Sequence, residues 1–280
     1  MQKFNYHTHT KFSDGSDMPE TYIEKAINLG LTSIGFSDHA PIKGYPTNWN
    51  MKIENLDSYF IKLGELKYKY KEDIEVLIGL EIDYIPNLIS PKSAYLQKHN
   101  LDFTIGSVHF LNKFKDGLYW DFEGSKKEIK KGITEIFNND IELLVRTFYQ
   151  SVRDMIITSP PTIIGHLDRI KAINKGEIYF TEKESWYIEE IEKTLDIIAQ
   201  TNCIIEINTK GMYRKGDKEA YPSNWILEKV YEKEIPIHFG ADAHSPKYLI
   251  QNFNEVETIV KNIGFDTVAE LNFKQYRIIY

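Results

Sequence analysis

Histidines lie at the ends of predicted strands in this chain, and this pattern limits the possible fold more than any other feature. The sequence contains eight histidines, and seven of them fall in the last residues of an apolar, β-rich run. His7 and His9 stand two residues apart at the end of the first run, so they project from one face of a strand. Two neighbouring imidazoles provide half of a four-coordinate metal site, provided that other strands end in the same chemistry.

Predicted strands alternate with predicted helices along the whole chain. The segment 18–30 has proline near a helix start and glycine just past its end, as helices prefer. The segment 125–157 is helical in pattern, with a break predicted at 138–140. This alternation predicts a parallel sheet with helical crossovers. The predicted strands are 3–9, 31–41, 74–84, 101–109, 162–168, 203–208 and 235–244, and a strand-like tail ends with Arg277-Ile278-Ile279-Tyr280.

Metal-binding residues occur at the carboxyl ends of six of these seven predicted strands. An open, doubly wound sheet gathers its ligands at one switch point. Closure into a barrel brings all strand ends to a single mouth, where such folds place their chemistry. We therefore predict an α/β protein with a (β/α)7 TIM-like barrel that forms a single domain over residues 1–280.

The composition is that of an ordinary globular protein, with 42% hydrophobic and 27% charged residues among 280. The formal net charge of −7 argues against binding to nucleic acid or to an anionic membrane. Cys203 is the only cysteine, and its apolar neighbours predict a buried thiol in a reducing compartment. Without a signal-peptide pattern or an apolar run of membrane-spanning length, we expect a cytoplasmic protein, whose oligomeric state the sequence leaves open.

Nine side chains near these strand ends are candidate metal ligands. They are His7, His9, Asp14, His39, Glu81, His109, His166, Asp242 and His244. A catalytic ion uses about three protein ligands and keeps a position open for water, so nine ligands suit two or three ions. Nitrogen and oxygen ligands without a thiolate suit zinc, manganese or iron. Three carboxylate ligands neutralise only part of the charge of the divalent ions, so the site stays positively charged. A positively charged site favours a small phosphomonoester as substrate.

Short motifs surround the candidate ligands at the strand ends. They are His7-Thr8-His9 with Ser13-Asp14-Gly15, Ser37-Asp38-His39-Ala40-Pro41, Gly79-Leu80-Glu81, Gly106-Ser107-Val108-His109, Gly165-His166-Leu167-Asp168 and Gly240-Ala241-Asp242-Ala243-His244. Together these motifs resemble those of the polymerase and histidinol phosphatase (PHP) superfamily, and most of all its histidinol-phosphatase branch. The resemblance implies a distorted (β/α)7 barrel with a trinuclear metal centre. It also implies hydrolysis of L-histidinol phosphate to L-histidinol and phosphate, in histidine biosynthesis, by metal-bound hydroxide.

The same resemblance implies a role for each ligand. The first metal would take His7, His9, Glu81 and Asp242; Glu81 would bridge to a second metal held by His109 and His166; and Asp14, His39 and His244 would hold the third. Glu81, Asp242 and His244 are the predicted catalytic residues. Asp14 stands where many relatives have histidine, which leaves the metal's identity more open.

Arginines near the mouth are candidate phosphate ligands, because a guanidinium binds phosphate in a bidentate way. Arg214 lies in the segment after the sixth strand, which resembles the substrate loop of the phosphatase branch. Arg153 precedes the fifth strand and is a second candidate. Arg169 follows the fifth strand and is compatible with either a phosphate ligand or a surface charge.

Three other functions are compatible with parts of this pattern. The first is a PHP-type phosphoesterase acting on a nucleotide, an oligonucleotide end or phosphotyrosine. The second is an amidohydrolase-type enzyme that cleaves carbon–nitrogen bonds, although Asp14, His39 and Glu81 are surplus to its ligand set. The third is a barrel that binds metal without catalysis, which a complete ligand set disfavours.

Overall fold

The computed structural model describes residues 2–45, 47–271 and 274–277. Its strands are β1 (Phe4–Asn5), β2 (Ser33–Phe36), β3 (Glu75–Asp83), β4 (Phe103–Ser107), β5 (Phe110–Lys113), β6 (Tyr119–Asp121), β7 (Ile163–Ile164), β8 (Ile204–Asn208), β9 (Ile237–Gly240), β10 (Thr267–Glu270) and β11 (Lys274–Arg277). Its α-helices are α1 (Pro19–Asn28), α2 (Leu56–Lys69), α3 (Ala94–Gln97), α4 (Lys126–Glu135), α5 (Ile141–Thr158), α6 (Ser185–Ile198), α7 (Asn224–Glu232) and α8 (Phe253–Ile263).

Seven parallel strands form one sheet in the order β1-β2-β3-β4-β7-β8-β9. Each neighbouring pair is parallel, as in the register of Phe36 with Ile78 and of Gly79 with Phe103. Helices connect successive strands, as right-handed crossovers of parallel sheets require. The predicted single-domain α/β fold with a distorted, seven-stranded TIM-like barrel is therefore confirmed.

The first and last strands approach each other and nearly close the barrel. The backbone of Ala243 accepts a hydrogen bond from His9 at 3.0 Å and donates one to His7 at 3.0 Å. Further from the mouth, no backbone hydrogen-bond ladder joins the described residues of β1 and β9, and a side chain links the two edges instead. The Gln2 amide donates to the carbonyl of Phe239 at 2.8 Å and accepts from its N–H at 2.9 Å. Closure places the end of β1 beside the end of β9, so the first and last motifs meet.

The interior of the barrel is filled by aromatic rings beneath the strand ends. The ring of Phe103 lies where side chains on two neighbouring strands would otherwise project. A Cβ atom on Gly35 would stand 2.8 Å from this ring, and one on Gly79 would stand 2.6 Å from it. Tyr6 packs against Phe103 at 5.8 Å between ring centroids and against His238 at 5.7 Å. His238 is buried and is therefore a core residue.

The helical segment 125–157 divides as predicted. Asn138 and Asn139 adopt left-handed backbone conformations, with φ of 51° and 64°, and Asp140 caps α5 by accepting from the N–H of Leu143. The sequence patterns missed the antiparallel hairpin of β5 and β6, because its strands have only four and three residues. The tail pairs antiparallel with β10 through β11, while 278–280 lie outside the described residues. Across the described chain, helices are too short or too polar to span a bilayer.

The first prediction concerns closure of the barrel. Gln2→Leu keeps the volume of the side chain but leaves the N–H and carbonyl of Phe239 without their partners. We expect a loss of about 1–3 kcal/mol in the free energy of unfolding, measured by urea denaturation. Gln251→Leu at an exposed position is the control and should change stability by less than about 0.5 kcal/mol. Equal stability of Gln2→Leu and the unaltered protein would contradict the role given to Gln2.

Candidate metal centre

The barrel brings all nine predicted metal ligands to one mouth. Glu81 lies within β3, two residues before its end, and the other eight lie in segments that follow strands, so the convergence of parallel strands determines their positions. Their ligand atoms form compact groups, among them His9 with Asp14, His39 and His244; His7 with His9 and Asp242; and His39 with Glu81 and His109. Within each of these groups the ligand atoms lie within 4.8 Å of one another. This spacing allows a divalent cation to contact several side chains at once.

Glu81 lies at the centre of the cluster and is only 1% exposed. Its Oε2 atom lies 3.2 Å from His7 Nε2, 3.4 Å from His9 Nε2 and 3.0 Å from His39 Nδ1. The other oxygen, Oε1, lies 3.0 Å from His166 Nε2 and 3.7 Å from His109 Nε2. One carboxylate thus faces two sets of imidazoles, which is the arrangement required of a bridging ligand.

Asp242 and Asp14 complete the outer parts of the cluster. Asp242 Oδ1 lies 3.2 Å from His9 Nε2 and 3.7 Å from His7 Nε2. Asp14 Oδ2 lies 3.0 Å from His244 Nε2, and Asp14 Oδ1 lies 3.9 Å from His39 Nε2. The three sets that the family resemblance implied are therefore each close enough in space to hold an ion.

Several buried ligand atoms have no hydrogen-bond partner within the protein. They are His7 Nε2, both ring nitrogens of His9, His39 Nδ1 and Glu81 Oε2. Buried polar atoms nearly always have hydrogen-bond partners, so a group of unsatisfied atoms at one place indicates that they bind a further partner. Each of these atoms lies within 3.9 Å of a ligand atom on another residue of the cluster. Imidazole nitrogen with carboxylate oxygen is a donor set that divalent ions accept. The residues present thus fit a metal centre.

Outer carboxylates orient two of the histidines. Glu206 Oε1 lies 2.5 Å from His7 Nδ1, and Asp83 Oδ1 lies 2.9 Å from His109 Nδ1. Each carboxylate accepts from Nδ1 and leaves Nε2 of its histidine facing the cluster, as is usual for metal-binding imidazoles. The fully buried Glu206 also depends on glycine, because a Cβ on Gly240 would lie 1.8 Å from Glu206 Oε1. These contacts make Glu206 and Asp83 part of the site.

Burial and neighbouring charges shift the pKa values of several residues in the cluster. Burial lowers the pKa of His7, but the carboxylates of Glu206, Asp242 and Glu81 outweigh burial and hold this pKa well above its ordinary value. Burial raises the pKa of Glu81, yet the neighbouring imidazoles hold it well below the usual range. Burial and the nearby His244 and His39 hold the pKa of His9 well below normal. The carboxylates and imidazoles of the cluster thus shift one another's pKa values, and Glu81 is held in its ionised form.

Two ligands have unusual backbone conformations. His166 has φ of 24° and Asp242 has φ of 49°, values that residues other than glycine rarely adopt. The N–H of His166 donates to Glu206 Oε2 at 3.0 Å, and the hydroxyl of Tyr213 donates to the carbonyl of Asp242 at 3.0 Å. Such strain persists where surrounding contacts hold it, and it is frequent at functional sites.

Asp38 fixes the loop that carries Asp14. Its Oδ1 atom accepts from the N–H of Thr10 at 2.8 Å and from the hydroxyl of Ser13 at 2.6 Å. Burial raises the pKa of Asp38 to about 6, against the lowering effect of these donors. The motif residue next to His39 is therefore a loop anchor, which positions Asp14 without contacting the centre of the cluster.

A cavity of about 210 Å³ opens above the cluster. Four predicted ligands line it, namely Asp14, His39, His109 and Asp242. The remaining lining residues are Trp49, Asp121, Glu123, Arg169 and Lys210. Its volume suits a small molecule.

Two cations reach this cavity. Lys210 Nζ lies 3.0 Å from Asp242 Oδ1 and 3.2 Å from His244 Nε2. Arg169 is buried and binds Glu123 through Nε and Nη2, while its buried Nη1 has no hydrogen-bond partner. Arg169 is therefore a residue of the site, not a surface charge. Sequence patterns missed Lys210, although it lies only two residues beyond the end of β8.

The two arginines favoured by the sequence lie elsewhere. Arg153 is buried between α5 and α6, where it pairs with Glu190 at 2.7 Å and contacts Thr194 at 3.1 Å. This placement argues against Arg153 as a phosphate ligand, because its guanidinium is already paired outside the cavity. Arg214 is exposed on the turn Gly211–Lys215 and does not line the cavity. Its role in substrate binding stays a prediction.

Comparison with known proteins gives relatives along nearly the whole chain. The histidinol-phosphatase of Bacillus subtilis is 28% identical over 260 residues, which are 87% of this chain and 94% of the relative. The histidinol-phosphatase of Saccharomyces cerevisiae is 23% identical over 306 residues, with 94% of this chain and 89% of the relative covered. A crystal structure of histidinol phosphate phosphatase from Lactococcus lactis, complexed with zinc, L-histidinol and phosphate, superposes with a TM-score of 0.70. It is 22% identical and covers 99% of both chains.

The sequence model of the PHP domain matches residues 5–210. These residues include seven of the nine predicted ligands, from His7 to His166, in the order of the barrel strands. The match extends over more than half of the chain and agrees with the resemblance of its strand-end motifs. The chain therefore belongs to the PHP domain family.

Proposed function

We propose that this protein is a metal-dependent phosphomonoesterase that hydrolyses L-histidinol phosphate to L-histidinol and phosphate. The observation that carries this proposal is the convergence of nine ligand side chains, several with unsatisfied buried atoms, beneath one small cavity. Relatives named histidinol-phosphatase align over nearly the full chain, which supports the choice of substrate. A cytoplasmic location and the exclusion of nucleic acid stay predictions from composition.

The cluster would hold two to three divalent ions, with zinc, manganese and iron as the candidates. His7, His9, Glu81 and Asp242 would form one site, Glu81 with His109 and His166 a second, and Asp14 with His39 and His244 a third. Bound divalent ions would polarise phosphate oxygens and lower the pKa of water enough to provide a nucleophile. Glu81, Asp242 and His244 would contact these ions directly, which is the catalytic role proposed for them.

Protein cations would orient the phosphate group over the cluster. Arg169 is the stronger candidate, because this residue lines the cavity and its buried Nη1 has no hydrogen-bond partner. Its other nitrogens bind Glu123, so the guanidinium is held in one orientation before substrate arrives. Lys210 would add a second positive charge beside Asp242 and His244. The buried walls of the barrel mouth limit the access of water, which strengthens these charge interactions.

Activity and its metal dependence test the proposal. We expect turnover of L-histidinol phosphate to exceed that of nucleotides, oligonucleotide ends and phosphotyrosine, measured as phosphate release. Removal of metal with a chelator should abolish turnover, and zinc or manganese should restore it. His109→Asn should remove activity, whereas His99→Asn should keep it, because His99 lies outside the cluster and stacks on Phe60. Turnover that survives thorough metal removal would refute the metal-dependent mechanism, and preference for another phosphoester would refute the substrate.

A further prediction concerns the outer carboxylate Glu206. Glu206→Gln cannot accept from both His7 and the N–H of His166, so His7 should lose its fixed orientation. We expect the dissociation constant of zinc, measured by competition with a chromophoric chelator, to rise about 10- to 100-fold. Glu190→Gln is the matched control, since Glu190 is also a buried carboxylate but pairs with Arg153 away from the cluster. Equal zinc affinity in both variants would exclude the role assigned to Glu206.

A further inference from the structure

The hairpin of β5 and β6 forms one wall of the cavity above the cluster. It begins directly after His109, and Asp121 at its end pairs across the hairpin with Phe110. Asp121 lines the cavity and is half-buried. No metal-binding group of the described residues includes Asp121. This carboxylate is therefore placed beside the metal ligands without belonging to them.

Neutral donors hold Asp121 in one orientation. Its Oδ2 accepts from the indole N–H of Trp49 at 3.1 Å, and its Oδ1 accepts from the backbone N–H of Glu123 at 2.8 Å. Trp49 is itself fixed, because its ring stacks on Phe110 with centroids 5.4 Å apart and an interplanar angle of 11°. The same ring packs edge-on against His39 at 4.5 Å. The position of Asp121 relative to the cluster is thus set by packed aromatic rings.

Both basic side chains that line the cavity are already paired with other carboxylates. Arg169 pairs with Glu123, and Lys210 pairs with Asp242. Among side chains that the structure describes, no lysine or arginine forms an ion pair with Asp121. Burial raises the pKa of Asp121, and the backbone N–H of Glu123 opposes this shift. The Glu123 carboxylate raises this pKa further, whereas His109 and the Trp49 indole lower it. A half-buried carboxylate with only neutral donors gains from a cationic ligand.

The proposed substrate carries such a cation. L-histidinol phosphate has a phosphate group at one end and a primary ammonium on the adjacent carbon. We propose that Asp121, oriented by Trp49, is a specificity-determining residue that binds the ammonium group of a phosphorylated amino alcohol. This assignment rests on the proposed phosphatase function and adds to it the basis for selecting an amine-bearing phosphoester. Phosphate would face the cations and the metal cluster, while the ammonium would face the hairpin.

A comparison of two substrates tests this assignment in the metal-loaded protein. One substrate is L-histidinol phosphate, and the other is its analogue in which hydrogen replaces the amino group. The unaltered protein should prefer the amine-bearing substrate by at least about 10-fold in kcat/KM. Asp121→Asn keeps the shape of the side chain but removes its charge. This preference should therefore fall about 10- to 100-fold, mainly through a higher KM for L-histidinol phosphate.

Asp116→Asn is the matched control, because Asp116 is an exposed aspartate in the turn of the same hairpin. It should leave the preference as it is. Equal losses on both substrates in Asp121→Asn, or loss of bound zinc, would show a structural or metal-binding role and overturn the assignment. If Asp121→Asn unfolds at a lower temperature, the preference of the unaltered protein decides, and equal kcat/KM on both substrates would overturn it. Failure of the unaltered protein to hydrolyse L-histidinol phosphate at all would instead refute the proposed function.

Discussion

The rest of the site depends on the contacts between the buried Glu81 carboxylate and the imidazoles around it. Both of its oxygens face imidazole nitrogens, and five histidines lie within 3.7 Å of them. A buried charge is costly unless it is paired and hydrogen-bonded. The imidazoles offer that compensation only if they converge from separate strands. Barrel closure, the outer carboxylates and the glycine beside Glu206 all contribute to holding them there.

Different contacts hold the two sides of the mouth. On the metal side, strand ends and backbone hydrogen bonds fix the ligands, and Asp38 extends this order to the loop carrying Asp14. On the opposite side, the hairpin and the stack of Trp49 on Phe110 position Asp121, while Glu123 holds Arg169. Strand ends thus hold most of the candidate metal ligands, whereas loops and the hairpin hold the other groups that line the cavity. This division is general in barrels whose sites lie at the carboxyl ends of the strands.

The sequence predicted the fold and the convergence of the nine candidate ligands better than it predicted which cations line the cavity. The proximity of histidines at strand ends can be predicted, because a parallel barrel brings the carboxyl ends of its strands together, as for His7 and His244. The ion-pair partner of an arginine cannot be predicted from sequence position in this way. Arg153 pairs with Glu190 because two helices pack side by side, and Arg169 is buried because Glu123 reaches it from the loop after β6. The sequence did not predict the hairpin, because its strands are short. It did not predict the role of Glu206 either, because a buried carboxylate near a strand end has the same sequence pattern as any other polar strand end.

Anomalous X-ray diffraction from crystals of the zinc-loaded protein tests the central claim most directly. We expect two or three anomalous peaks within about 2.0–2.3 Å of ligand atoms from His7, Glu81, His166 and His244 and their neighbours in the cluster. One peak should share Glu81 with the next. Peaks only at other places on the molecule, or an empty cluster at saturating zinc with these side chains turned apart, would contradict the metal centre and the phosphatase function built upon it.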